Sequence, residues 1–259
     1  MHFISYIFII FLGLAVGSFL NVCIYRLPLD KSILLPSSFC PKCKKKISSW
    51  DNIPVLSYIL LKGRCRNCRA RISFRYPLVE LLTSFWFFFV FLKSGLGWES
   101  VALLFLGCSL IVIFFIDLQH KIIPDVITLP GVVLGILFSF LIPEKSFINS
   151  LLGLFVGGGL FYLFAILGEA IFKRESLGGG DIKLALMLGA FLGWEKILLV
   201  FFLAAILGSI IGILFMFLSQ KVRKEKIIPF GPFLALAAFL GILWGEKLIR
   251  YYLDTFLGL

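Results

Sequence analysis

Charge is what this sequence has least of. Only 15% of its 259 residues are Asp, Glu, Lys or Arg, whereas 60% are hydrophobic and 30 are Phe. Soluble domains run nearer about 25% charged and about 45–50% apolar. A water-soluble single-core protein is excluded, and so is intrinsic disorder, which requires low hydrophobicity. The first apolar run has no basic start, and Gly17-Ser18-Phe19-Leu20-Asn21 offers no convincing small-residue cleavage site. That run is expected to be a retained span, not a removed signal peptide. No strand precedes Gly157-Gly158-Gly159 or Gly178-Gly179-Gly180, which argues against a nucleotide-binding fingerprint. The first of these clusters reads as close helix packing. No regular inverted repeat of apolar segments is evident, which speaks against a transporter.

What is there is a series of long apolar runs broken by short polar stretches, the pattern of an all-α polytopic membrane protein. Eight spans are expected: Phe3–Ile24, Pro77–Leu92, Val101–Ile116, Val126–Ile142, Phe147–Phe172, Ile182–Trp194, Ile197–Leu218 and Ile227–Leu248. The net charge of +11 reports topology and anionic-lipid contact in such a chain, not nucleic acid. The stretch from Arg26 to Arg75 holds twelve of the 25 basic residues against Asp30 and Asp51 alone. The positive-inside rule places it in the cytoplasm and the N-terminus outside. Alternation then puts Lys121, Lys173, Arg174, Lys183, Lys221, Arg223, Lys224 and Lys226 inside. Lys93, Lys145, Lys196, Lys247 and Arg250 fall outside, so the charge bias is consistent. Ile182–Trp194 is short, about 20 Å of helix against about 30 Å of hydrocarbon. Charge still argues that it crosses, which protein around it or local thinning would permit.

Four of the six Cys lie in the basic loop, as Cys40-Pro41-Lys42-Cys43 and Cys65-Arg66-Asn67-Cys68. The nine-residue pieces CPKCKKKIS and CRNCRARIS share one pattern, repeated at an offset of 25. Two such knuckles supply four thiolates for a tetrahedral zinc site, although 21 intervening residues slightly exceed the usual spacing. Two disulfides, or unligated thiols, are the competing readings, and the cytoplasmic placement disfavours the disulfides. Four sulfurs leave no open position for substrate, so the metal is expected to be structural. Cys23 and Cys108 read as small apolar fillers.

Asp117 ends the third span and Asp181 opens the sixth, both on the cytoplasmic side of this topology. Ionisable groups at membrane depth are costly and are functional candidates. Each also has a plain reading: Asp181 as an N-cap, Asp117 as a solvated interfacial residue beside Lys121. Asp125 reads as an N-cap before Val126, His120 as a juxtamembrane polar residue, and Glu80 and Glu169 as interfacial or paired. As a pair, two carboxylates in a low-dielectric site share one proton. One then serves as base toward water while the other polarises a carbonyl, which is aspartic-protease chemistry. Glycines before Asp181 would let backbone and substrate approach closely.

These motifs together resemble the bacterial type IV prepilin peptidases, membrane aspartic proteases with a Gly-x-Gly-Asp signature. The likeness runs through Gly17-Ser18-Phe19-Leu20-Asn21-Val22, Tyr25-Arg26-Leu27-Pro28 and both Cys pairs flanking Trp50–Tyr58. It continues with Arg75-Tyr76-Pro77-Leu78-Val79-Glu80, Asp117 through Pro124-Asp125, and Gly178-Gly179-Gly180-Asp181-Ile182-Lys183. The resemblance implies that Asp117 and Asp181 are the catalytic pair, supported by Pro124, Asp125, Gly178, Gly180 and Lys183. It implies cleavage of prepilin and pseudopilin leaders after Gly on the cytoplasmic face of the inner membrane. It also implies N-methylation of the new terminus with S-adenosylmethionine, with no donor-binding residues assigned. The expected organisation is a first span over 1–25, a zinc-binding loop over 26–76, and a bundle over 77–259 with its peptidase core at about 101–220. The competing function is a non-enzymatic scaffold or transporter whose metal loop docks a partner and whose carboxylates relay ions.

Overall fold

The computed structural model describes residues 2–173, 177–218 and 229–257. Arg174, Lys221, Arg223, Lys224 and Lys226, used above to orient the chain, lie outside them, as do the first two residues of the Ile227–Leu248 run. Among the described residues the chain is helical, with two isolated β-bridges. The helices are α1 (His2–Arg26), α2 (Leu56–Leu60), α3 (Arg75–Ser94), α4 (Trp98–His120) and α5 (Asp125–Leu141). They continue as α6 (Phe147–Phe172), α7 (Gly179–Leu192), α8 (Trp194–Leu218) and α9 (Gly231–Tyr252). Each of the eight apolar runs is thus a helix, as it must be where no water can satisfy the backbone. Six of them, α1, α3, α4, α6, α8 and α9, are long and apolar enough to cross a membrane. The other two are short, α5 with 17 residues and α7 with 14.

The chain divides into two compact units, Met1–Val112 and Ile113–Leu259. In the first, α1 and α3 pack antiparallel through small residues. A Cβ on Gly13 would stand 2.6 Å from the Ser84 Cα, and one on Gly17 would stand 2.6 Å from the Glu80 Cα. Such close approach replaces the hydrophobic drive that lipid cannot supply. The Ser84 hydroxyl donates to the Ile10 carbonyl at 2.9 Å, and Trp86 Nε1 donates to the Leu103 carbonyl at 3.0 Å.

In the second unit α7 is the central element, packed by α5 and α6 and touched by α8 and α9. Leu184, Ala185, Met187, Leu188, Gly189, Ala190 and Phe191 are all buried, so the short helix is sheathed in protein. Gly153 of α6 and Gly189 of α7 face each other so closely that neither has room for a Cβ. Gly157 and Gly158 abut Ala185 and Leu186, while a Cβ on Gly159 would meet nothing within 4 Å. Close packing therefore accounts for two glycines of that run. The far end of α7 is capped by Lys145 Nζ, which donates to the Phe191 carbonyl at 2.9 Å. Gly193, with φ +83°, then turns the chain into α8 beneath the Asn149 side chain.

Candidate active site and metal centre

Asp117 sits in the last turn of α4 and is buried, with 4% of its surface exposed. It is therefore not the solvated interfacial residue that its proximity to Lys121 suggests. It stands instead beside the start of α9, where the Gly231 N–H donates to its carboxylate. A Cβ on Gly231 would fall 2.5 Å from Asp117 Oδ2. The N-terminal end of α9 thus gives Asp117 both a donor and the positive end of a helix dipole.

Asp181 is the third residue of α7, not its N-cap; Gly178 takes the cap position in an extended conformation. The Asp181 Oδ2 reaches back to accept the Gly178 N–H at 3.3 Å. This is one half of a capping box, the other half being impossible for a glycine. Oδ1 of Asp181 is buried and has no hydrogen-bond partner among the described residues. The residue as a whole is 9% exposed. A buried carboxylate oxygen with no partner is expensive and leaves an acceptor free for water or substrate.

Ile123 stands against the backbone beside each carboxylate. A Cβ on Gly180 would stand 2.9 Å from the Ile123 Cβ, and one on Gly231 would stand 3.1 Å from its Cδ1. Gly179, between the two outer glycines, has open space. The pattern glycine-any-glycine therefore has a steric origin at Gly180, and the middle position is free. The two carboxylates lie within electrostatic reach of each other. Asp117 and Asp181, separated by 64 residues in the chain, share one corner of the second unit.

The remaining loop residues frame that corner. Pro124, with φ −68° and ψ 124°, is the N-cap of α5 and makes no side-chain cap. Asp125 is the first helical residue, so its reading as an N-cap is corrected. An acid there still suits the helix dipole, but its carboxylate is taken by a cation. Lys183 Nζ donates to Oδ1 at 2.8 Å and to Oδ2 at 2.6 Å. This pair ties the first turn of α5 to the second turn of α7 on a solvent-exposed surface. Beside Phe230 and Phe233 a cleft of about 340 Å³ opens, floored by Ala205, Gly208 and Ser209.

The Cys cluster belongs to the first unit. The sulfurs of Cys40, Cys43, Cys65 and Cys68 all lie within 4.8 Å of one another, and Cys40 Sγ is 3.9 Å from Cys68 Sγ. Zinc–sulfur bonds of about 2.3 Å imply sulfur–sulfur edges of about 3.8 Å in a tetrahedron. Donor chemistry and spacing therefore fit a metal ion. The two knuckles repeat in three dimensions as they do in sequence. Cys40 N–H donates to Lys45 O and Cys65 N–H to Ala70 O, at 3.0 and 2.8 Å. Lys44 and Arg69 both adopt positive φ, 56° and 57°, and Ile47 and Ile72 pair back to Ser38 and Gly63.

The N–H groups of Cys68 and Asn67 bring the Cys65 thiol down to about 7. At Cys68 the Ala70 N–H acts in the same direction. It is outweighed by lost solvation and by the Cys65, Cys43 and Cys40 sulfurs, which together leave Cys68 at about 11. Without a cation the four thiols cannot all ionise side by side.

Sequence reasoning missed Gly231 altogether, though the bracketing Pro229-Phe230-Gly231-Pro232 marks a helix start. It also left Glu80 without a specific partner. Glu80 is 7% exposed, and its Oε2 accepts the Val55 N–H at 2.7 Å. Asn21 Nδ2 donates to the Tyr76 carbonyl at 3.0 Å, and its Oδ1 is buried without a partner among the described residues. Glu169 and His120 are exposed.

Residues 11–94 match the bacterial peptidase A24 N-terminal domain, and residues 104–213 match the type IV leader peptidase family. Gly231 lies beyond both matches. The chain is 38% identical to a prepilin leader peptidase/N-methyltransferase of Aeromonas salmonicida (strain A449), over 97% of this chain and 95% of that protein. It is 36% identical to the protein so named in Pseudomonas aeruginosa, over 95% and 92% of the two chains. For Myxococcus xanthus the identity is 45%, over 83% and 64%. No solved structure matches the chain significantly. With six helices able to cross a bilayer and relatives aligned along nearly its whole length, the chain is a multi-pass inner-membrane protein that belongs to the type IV leader peptidase family.

Proposed function

We propose that this protein is a membrane-embedded aspartic endopeptidase that removes the leader of prepilins and pseudopilins after Gly, with Asp117 and Asp181 as its catalytic pair. The observation that supports the reading is that both carboxylates are buried within electrostatic reach of each other, one from the end of α4 and one from the start of α7. A water held between them loses a proton to the carboxylate form of one aspartate as its oxygen attacks the scissile carbonyl. The other, protonated, donates a hydrogen bond to the carbonyl oxygen as charge develops there. The proton taken from water is then delivered to the leaving nitrogen as the C–N bond breaks, which yields the leader acid and a new N-terminal amine. Asp181 Oδ1, with no hydrogen-bond partner among the described residues, is the acceptor available to that water.

Gly180 and Gly231 let the surrounding backbone close on the pair, Gly231 also holding Asp117 by its N–H. Gly178, Pro124, Asp125 and Lys183 fix the ends of α5 and α7 around it. The cleft beside Phe230 offers an apolar wall along which a substrate helix can lie. The proposed topology has the N-terminus outside, with the Cys loop and both aspartates at the cytoplasmic face. There the basic loop meets anionic headgroups.

The metal at the four Cys is proposed to be zinc in a structural role, cross-linking two knuckles whose loop has little apolar core of its own. The reading extends to N-methylation of the new terminus, the second activity in the relatives' names. S-adenosylmethionine would supply an electrophilic methyl group to that amine. Asn21 Oδ1 and the Glu80 carboxylate are two buried acceptors on the first unit that could meet a donor's amino and hydroxyl groups. No specific observation favours the scaffold or transporter reading.

The test is direct. Purified protein is incubated with a precursor carrying a basic leader before an apolar helix, and the product is weighed by mass spectrometry. Loss of the leader at one Gly-x bond is expected. An intact precursor after exhaustive incubation with folded, metal-loaded protein would overturn the reading.

A further inference from the structure

The loop between α1 and α3 exposes an unusual amount of large apolar surface for a polypeptide so rich in Lys and Arg. Within α2, Leu56, Ile59 and Leu60 are 52%, 63% and 80% exposed. Their i, i+3, i+4 spacing puts them on one helical face. Ser57, turned off that face, is buried and donates to the Trp50 carbonyl at 2.9 Å. Trp50, thereby fixed beside α2, is 79% exposed. On the other flank Tyr58 packs edge-on against Phe74 at 6.4 Å. Phe74 is itself exposed and directly precedes α3. Water alone would not tolerate such a continuous apolar face.

The depth of α2 explains the face. Its N-cap, Val55, gives its N–H to the Glu80 carboxylate. Glu80 lies five residues into α3, about 7.5 Å along the helix axis. Even directed back toward Arg75, as helical side chains are, that carboxylate stays at the level of the first turns of α3. On the α1 side, Glu80 packs against Gly17, nine residues before the end of α1 at Arg26. Both helices that hold Glu80 are long and apolar enough to span a bilayer. The bond therefore pulls α2 down beside the ends of two spans instead of leaving it out with the knuckles. Val55 adopts φ +60° to make this contact, a conformation that β-branched residues avoid. Strain of that kind persists only where surrounding structure enforces it. Directly after α2 come Lys62 and Arg64, both exposed.

We propose that α2, flanked by Trp50 and Phe74, is an interfacial foot that inserts into the lipid leaflet on the side of the Cys loop. Leu56, Ile59 and Leu60 enter the acyl region, and Trp50 lies at the headgroup boundary, where indoles concentrate. Lys62 and Arg64 meet anionic headgroups. The knuckles are thereby anchored at two points, through Glu80 and through lipid. The partner is the bilayer itself, selected by an apolar face edged with positive charge.

The test uses the full chain in nanodiscs of phosphatidylethanolamine and phosphatidylglycerol. A benzophenone amino acid is placed at Leu60, at Ile59, or at the exposed knuckle residue Lys44 as the comparison. Irradiation is expected to give phospholipid adducts at Leu60 and Ile59 and none at Lys44. Cross-links to a second copy or to another protein, or no lipid adduct, would overturn the proposal. Fluorescence supplies a second measurement that leaves α2 intact. The signal of wild type minus that of Trp50→Phe isolates Trp50, and lipids brominated high on the acyl chain should quench it. An unquenched Trp50 in metal-loaded protein would equally sink the idea.

Discussion

The N–H of Gly231, at the first residue of α9, is hydrogen-bonded to the carboxylate of Asp117 at the end of α4. A backbone donor does not titrate, so only the protonation of Asp117 itself alters this bond. Because a Cβ there would lie 2.5 Å from Oδ2, Gly231→Ala must push the carboxylate or α9 aside. Displacement by about 1 Å costs catalysis roughly 100-fold. The expected outcome is a fall of that order in kcat/KM for precursor cleavage, with the melting temperature little changed.

Gly179 and Gly180 separate steric need from composition. Gly180→Ala places a methyl group 2.9 Å from the Ile123 Cβ, whereas Gly179→Ala meets nothing. Cleavage rates of the two variants should differ by tenfold or more, Gly179→Ala staying near wild type. Equal rates would show that the approach of Ile123 to α7 does not matter.

The Lys183–Asp125 pair is short but exposed, with side chains 38% and 54% accessible. Exposed pairs contribute about 0–1 kcal/mol. A double-mutant cycle with Lys183→Met and Asp125→Asn, read by thermal unfolding, should therefore find a coupling below about 1 kcal/mol. The cleavage rate is expected to respond more strongly than stability, because the pair joins the two helix starts around Asp181.

Metal affinity should depend on pH with a definite sign. Zinc binds thiolates, so protons compete with it and affinity falls as pH falls. In the metal-free cluster the neighbouring N–H groups lower the Cys65 thiol to about 7. Below that value Cys65 too carries a proton that zinc must displace, and the loss of affinity per pH unit steepens. Competition with a chromogenic chelator at pH 6 and pH 8 should show the weaker binding at pH 6. Cys43→Ser should lower the metal content at both.

The features legible in the sequence are those with local causes. Hydropathy alone marks all eight apolar helices, the six long ones and the two short ones, and the 25-residue offset of the Cys motifs reappears as matched hydrogen bonds from Cys40 and Cys65. Asp125 shows where local rules stop. Its place before an apolar run suggests a cap, yet its partner is Lys183, 58 residues away. Gly231 and the Glu80–Val55 bond were illegible for the same reason. Each depends on which helix ends meet, and neither periodicity nor spacing encodes that. Even so, the shortness of α7 was visible in the sequence. Its tolerance follows from burial by neighbours that only the fold reveals.

The most direct test of the central claim is the single-turnover cleavage rate of a precursor by Asp117→Asn, Asp181→Asn and the double variant, each checked for metal content and melting temperature. Two carboxylates that grip one water act as a unit, and such units are strongly non-additive. Each single variant is predicted to lose about 10⁴-fold or more, and the double variant to be no slower than either. Wild-type cleavage by one folded single variant, or losses that multiply in the double variant, would contradict the account.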